Sequence, residues 1–221
     1  MEKMNGQIKT KQRIVDHGEV FTSEREVNAM LDLVKQETER IDSRFLEPAC
    51  GTGNFLVEIL KRKLRVVKNR YSNNKSDYER YAVVAVASIY GVDILEDNVL
   101  ECRDRLFNIF NHEYTKVCKE YTNNECREAI KYILSRNILH GDALTMKTAE
   151  DKPIIFSEWS LVGGTMLKRR DYRFDELLAG NQEQMSIFMM GWEYDEEIQA
   201  FIPAPMKEFP LVDYRRVQYV E

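Results

Sequence analysis

Apolar residues first recur with a helical period over residues 23–41, where Val27, Met30, Leu31, Val34, Thr38 and Ile41 mark one face. Thr22 or Ser23 can cap this helix. Glu26 falls three residues after Ser23, the spacing at which the two side chains cap each other's backbone. Residues 44–47 read as a short strand and 48–53 as a turn, and a helix opens at Asn54 and runs to about residue 70. After a polar loop at 71–76, residues 77–88 form a helix rich in Ala and Val. Residues 89–93 are a strand ending on an acid. Residues 96 to about 112 are a helix with Val99, Leu100, Leu106, Phe107 and Phe110 inward. A helix over 124–135 precedes a strand at 137–142, which also ends on an acid, and residues 153–156 are a fourth strand. Strands alternating with helices predict an α/β fold with a mostly parallel central sheet and helices on both faces. Past Trp159 the alternation fades. Residues 14–160 are the expected domain, 1–13 a tail, and 161–221 a loop-rich extension packed on the same domain.

Composition narrows the class. The chain has 221 residues, 43% hydrophobic, 31% charged and 10% aromatic, which fits a globular protein with one substantial core. No apolar run approaches the roughly 20 residues a membrane span needs. The polar, basic start has no apolar segment of the secretory kind, so a cytoplasmic protein is expected. Cys50, Cys102, Cys118 and Cys126 form no metal-ligand spacing with each other or with His17, His112 and His140, so they read as reduced thiols and no metal is expected. A net charge of −5 argues against tight, unaided binding to DNA, which usually needs a basic face.

The candidate chemistry lies at the strand ends. In open α/β sheets ligands bind beyond the carboxyl ends of the strands. Here those ends carry Glu47-Pro48-Ala49-Cys50-Gly51-Thr52-Gly53, then Asp93, then Asp142. Gly51 and Gly53 let the backbone turn sharply beside a ligand, and the helix opening at Asn54 offers free N–H groups. Asp93 is placed to accept ribose hydroxyls, and Ile94 to pack on an adenine face. Asp142 is placed to accept from the adenine amino group, with the next backbone N–H reading the ring nitrogen. A nicotinamide dinucleotide site would want a third glycine where Leu56 stands and an acid about 20 residues on, whereas Asp93 lies about 40 residues past the turn. The Gly-Lys-Ser/Thr of a phosphate-binding loop is absent. An adenosyl cofactor explains all three strand ends.

The stretch Phe45-Leu-Glu-Pro-Ala-Cys-Gly-Thr-Gly-Asn-Phe-Leu56 resembles the first cofactor motif of adenine-N6 DNA methyltransferases, above all the methylase subunits and fused methylases of restriction–modification systems. Ile89-Tyr-Gly-Val-Asp-Ile94 is similar to their second motif and Ile138-Leu-His-Gly-Asp-Ala-Leu144 to their third. Gly18-Glu-Val-Phe-Thr-Ser23 resembles the segment before the first motif. The resemblance covers roughly residues 14–160. It implies a Rossmann-like methyltransferase fold that binds S-adenosylmethionine, with S-adenosylhomocysteine as product and no metal. Phe21, Thr22 and Ser23 would approach the methionine end. Glu47, Pro48, Ala49, Cys50, Gly51, Gly53, Asn54, Phe55, Asp93, Ile94, Asp142, Ala143 and Leu144 would complete the cofactor site. Double-stranded DNA would be the substrate.

The catalytic motif of that family, Asn/Asp/Ser-Pro-Pro-Tyr/Phe after the fourth strand, is missing. It would grip a flipped-out adenine by its amino group and stack on its ring. The chain has no Pro-Pro pair and reads Phe156-Ser-Glu-Trp-Ser160 at that offset. Ser157 could stand for the acceptor and Trp159 for the ring; the favoured reading is a plain strand-end turn. Three explanations stay open: a catalytic loop on another polypeptide, a truncated or inactive methylase acting as a cofactor-binding or partner-binding module, or an enzyme with an unusual loop at 157–180. Residues 61–70 carry six basic residues and read as a solvated helix end. The run 168–173, with Tyr172 and Phe174, is a candidate nucleic-acid contact. The apolar stretch 185–192 is expected to pack on the core. No recognition domain is evident, so target reading would need a separate subunit.

Overall fold

The computed structural model describes residues 22–179, 192–195 and 200–220. Helix α1 is Glu24–Asp32, and Ser23 caps it as the spacing predicts: Glu26 N–H donates to Ser23 Oγ (3.4 Å), and Ser23 N–H to Glu26 Oε2 (3.0 Å). The single helix predicted over 23–41 breaks at Leu33–Val34, and α2 is only Lys35–Thr38. The break re-aims the stripe: Val27, Leu31, Thr38 and Ile41 are buried, while Met30 and Val34 turn outward.

Strand β1 (Phe45–Glu47) leads into α3 (Asn54–Tyr71). Helix α4 (Lys75–Ala87) is capped by the Asn74 side chain, which accepts from the backbone of Ser76 and Asp77. Strand β2 (Ile89–Asp93) precedes α5 (Glu96–Cys118), and α6 (Asn124–Asn137), capped by Asn123, runs into β3 (Ile138–His140). Helix α5 outruns its expected end because the buried stripe Leu106, Phe110, Tyr114, Val117 continues at helical spacing; Leu100, expected inside, faces solvent.

The parallel part of the sheet has three strands, ordered β1-β2-β3, with Phe45 opposite Ile89 and Asp93 opposite His140. Successive residues of β2 serve opposite faces. Ile89 joins the main core built by α3 to α6. Tyr90 and Val92 join a smaller cluster with Ile154, Phe156 and Phe174. Loop and strand residues with Phe174, which opens a short helix, and not a crossover helix, therefore provide the described apolar cover for the second face.

The fourth strand departs from expectation. Strand β4 is Ile155–Val162, and it pairs antiparallel with β5 (Met166–Arg173) along its whole length. The fold is thus α/β with both parallel and antiparallel sheets, not the mostly parallel sheet predicted. The reversal occurs at Gly163 and Gly164, both with positive φ (50° and 84°), a conformation glycine adopts without strain. Cross-strand pairs such as Glu158–Arg170 then hold the register. The boundary drawn at residue 160 falls inside β4. After α7 (Phe174–Ala179), β6 (Trp192–Asp195) pairs antiparallel with β7 (Ala200–Pro203); β8 (Lys207–Glu208) and β9 (Val212–Asp213) then add to β5.

A 3₁₀ turn at Tyr214–Tyr219 closes the described chain against the main core, where Tyr214 and Val217 are buried. Its anchor is Glu79, a buried carboxylate that accepts from Tyr114, from Tyr214 Oη (2.7 Å) and from Arg215 Nε (2.5 Å). The basic run on α3 is not all solvated. Lys63 is fully buried and donates to the carbonyls of Ile41 (3.1 Å) and Ser43 and to Ser88 Oγ (2.6 Å). Burial lowers its amine to about 7. Arg62 is also buried, against Asn28 and Asp32.

Candidate functional site

The carboxyl ends of β1, β2 and β3 meet, and Asp93 is their junction. The Cys50 N–H donates to the Val92 carbonyl (2.9 Å), carrying the β1–β2 ladder one step past β1. The backbone then bends through Gly51 (φ 53°) and Gly53 (φ 88°) into α3. Space beside Gly51 is open. A Cβ on Gly53 would come within 2.5 Å of Cys102 Sγ, so glycine is required there twice, by conformation and by room. Gly51 N–H donates to Asp93 Oδ2 (2.8 Å), while Leu95 N–H (2.9 Å) and Asn98 Nδ2 (3.1 Å) donate to Oδ1. A carboxylate accepts about four hydrogen bonds, so Asp93 keeps capacity for one more.

Asp142 lies on the neighbouring strand end. Gly141 N–H donates to the Asp93 carbonyl (3.0 Å), and the Asp142 carboxylate accepts from Leu144 N–H (2.8 Å) and Thr145 Oγ1 (3.1 Å). Asp93 thus joins the two neighbouring segments: its carboxylate takes the Gly51 N–H, and its carbonyl takes the N–H of Gly141, the residue before Asp142. Ile94 and Leu144 stand at these ends 58% and 91% exposed, apolar side chains open to a flat ring. Glu47 is half-buried, and burial raises its carboxyl above the ordinary range. The Cys50 thiol is pushed up by the neighbouring Cys102 thiol and by burial, which leaves it a packing group rather than a nucleophile.

Among the other expected residues, Thr22 is brought to the turn: its carbonyl accepts from Asn54 Nδ2 (3.1 Å). Ser23 caps α1 beside it. Phe21 lies outside the described residues, as do the tail 1–13 and residues 185–191. Pro48 and Ala49 are exposed; Phe55 packs on the main core and Ala143 on the smaller cluster. Three residues escaped sequence reading: Asn98, Cys102 and Arg105. They sit at i, i+4 and i+7 on α5, one helical face turned toward the glycine turn. Polar residues continuing an inward stripe were the available signal. Arg105 Nη1 donates to Thr52 O (2.6 Å), Thr52 Oγ1 (2.9 Å) and Asn54 Oδ1 (2.9 Å).

Ser157 and Trp159 lie on a strand rather than in the strand-end turn favoured for them. Ser157 is fully buried; its hydroxyl donates to Asp171 (2.7 Å) and accepts from Arg169 Nε (3.1 Å). Trp159 is buried and donates from Nε1 to Asn137 Oδ1 (2.9 Å). Every described cation of the 168–173 run has an acid beside it. Lys168 pairs with Glu208, Arg169 with Asp171, Arg170 with Glu158 and Glu208, and Arg173 with Asp175 and Glu176. Arg169 is caged against Phe209 (3.9 Å), Tyr132 and Trp159. Those bases hold the hairpin together and leave little charge for phosphates. Among the described residues, no cluster of metal-ligand type occurs, and no helix is long and apolar enough to cross a membrane.

The family described as MmeI, DNA-methyltransferase domain, matches residues 21–160. No curated protein and no solved structure matches the chain.

Proposed function

The chain belongs to the family of MmeI DNA-methyltransferase domains, a group related to restriction–modification systems, and from that premise we infer that it binds S-adenosylmethionine at the carboxyl ends of β1, β2 and β3. The observation that carries this reading is the Gly51–Asp93 hydrogen bond. It couples the glycine bend to the acid on the next strand and leaves one acceptor position for a ribose hydroxyl. Three further features fit the group. Open space beside Gly51 admits a ligand close to the backbone; Ile94 and Leu144 offer apolar surface to adenine; and Glu47 has no cation within ion-pair distance among the described residues, so its carboxylate suits the methionine ammonium. Thr22 and Ser23 border the methionine end. The bound cofactor would supply an activated methyl group.

The transfer we infer is to the N6 amino group of adenine in double-stranded DNA, with catalytic loop and target reading contributed by a second polypeptide. The hairpin favours a partner: it buries Ser157 and Trp159 and pairs the basic run 168–173 with acids of the same chain. Calorimetry with S-adenosylhomocysteine tests the cofactor site. Wild type binds, and Asp93→Ala weakens binding at least about tenfold, a 1.4 kcal/mol effect. No heat from wild type at high micromolar protein defeats the assignment. The same burial of Ser157 favours a second reading, in which the chain is a cofactor-binding module with no transfer of its own. Incorporation of tritiated methyl into mixed-sequence DNA by the isolated chain would rule that out.

A further inference from the structure

We propose that Arg105 is a positioning residue that holds the methionine end of the site closed by fixing the orientation of the Asn54 amide. The inference rests on the cofactor reading above. A relay of hydrogen bonds joins Arg105 to the segment before α1. Arg105 Nη1 donates to Thr52 O, Thr52 Oγ1 and Asn54 Oδ1, and Asn54 Nδ2 donates to Thr22 O at 3.1 Å.

An amide side chain has one accepting and one donating end. A guanidinium only donates, so it selects the oxygen of Asn54. The NH₂ end must then face away from α5, toward the carbonyl of Thr22. The segment entering α1 is thereby tied to the first residue of α3, 32 positions away in sequence. Without Arg105 the amide can rotate, presenting oxygen to a carbonyl, and the tie becomes a repulsion.

No carboxylate lies within ion-pair distance of Arg105 among the described residues, and its helix neighbour Arg103 also bonds to carbonyls, those of Ser135 (3.2 Å), in the last turn of α6, and Ile138 (2.9 Å), at the start of β3. Arg105 is thus spent on three oxygens of one turn. Two of them belong to Thr52, between the two glycines. Gly53, which follows, caps α3 with no side chain. Arg105 provides from the adjacent helix the polar anchoring that a glycine cap lacks.

A ligand pair separates this role from general stability. S-adenosylhomocysteine carries the methionine moiety, and 5′-methylthioadenosine lacks it. Arg105→Ala should weaken S-adenosylhomocysteine binding about tenfold or more by calorimetry, while its affinity for methylthioadenosine stays within about twofold of wild type. Arg105→Lys, which keeps a donor but not the fork, should recover part of the loss. Retained methylthioadenosine binding shows in the same experiment that the variant is folded. Equal loss of both ligands, or no loss of either, overturns the positioning role while leaving the cofactor reading intact. Absence of binding by wild type to either ligand overturns that reading, and this inference with it.

Discussion

The glycine turn and the β4–β5 hairpin are both dense in polar groups, and they differ in whether those groups are used up. In the hairpin, Arg169, Asp171, Ser157 and Tyr132 satisfy one another, and aromatic rings wall them in. At the turn, Asp93 keeps one acceptor position, Glu47 has no counter-charge among the described residues, and Ile94 and Leu144 stand in solvent. A saturated network is scaffold, since another ligand would have to break bonds to enter. An unsaturated one, resting on a rigid backbone, can bind. The contrast separates two places that sequence alone marks as equally rich in chemistry.

The largest effect should come from breaking the saturated side. Arg169→Met strips Asp171 of its bidentate partner and leaves a buried carboxylate with the Ser157 hydroxyl (2.7 Å) and, among the described residues, Arg136 at 3.6 Å as its one remaining cation. Urea denaturation should show a loss of about 3–5 kcal/mol, with S-adenosylhomocysteine affinity little changed below the transition. A loss under about 1 kcal/mol would mean the cage holds little of the fold.

The reciprocal experiment alters the open side. Gly53→Ala forces a Cβ onto a residue at φ 88° and against Cys102 Sγ. We expect about 1–3 kcal/mol of destabilisation, and loss of ligand heat in calorimetry on protein that circular dichroism shows to be folded. Full binding by the folded variant would show that the bend tolerates distortion and that the contrast is drawn in the wrong place.

The smallest effect sharpens the comparison at a buried group belonging to neither region. The Lys63 amine falls from 10.5 to about 7 on folding, chiefly through burial, with Asp42 holding it up. Between those two values the unfolded chain binds more protons than the folded one, so stability rises with pH there. From pH 7 to pH 8 the gain should be about 1 kcal/mol, read as a shift in urea midpoint. Lys63→Met should lack that slope. The same slope in the variant would assign it to another group.

Legibility followed the range of the interactions. The Ser23–Glu26 cap, the bend at Gly51 and Gly53, and strand β2 with its terminal acid depend on residues a few positions apart, and the pattern shows them directly. The hairpin was legible too, in Gly163-Gly164 between two alternating runs, but the expectation of a fourth parallel strand masked it. Arg105, Asn98 and Cys102 act across more distant stretches of chain, and only the helical spacing hinted at their shared face.

By itself the amino-acid order determined most of the helices up to residue 137, the first three strands and the glycine bend, and where acid groups would stand at those strand ends. These are local properties of periodicity, glycine and capping. Only the tertiary structure decided what each polar side chain is for. Lys63 is buried among carbonyls while Arg65, two residues on, is exposed beside Glu39; Ser157 is sealed while Asp93 retains capacity. The physical reason is that alternation assigns a residue to a face, whereas its partners come from whatever distant segment packs there.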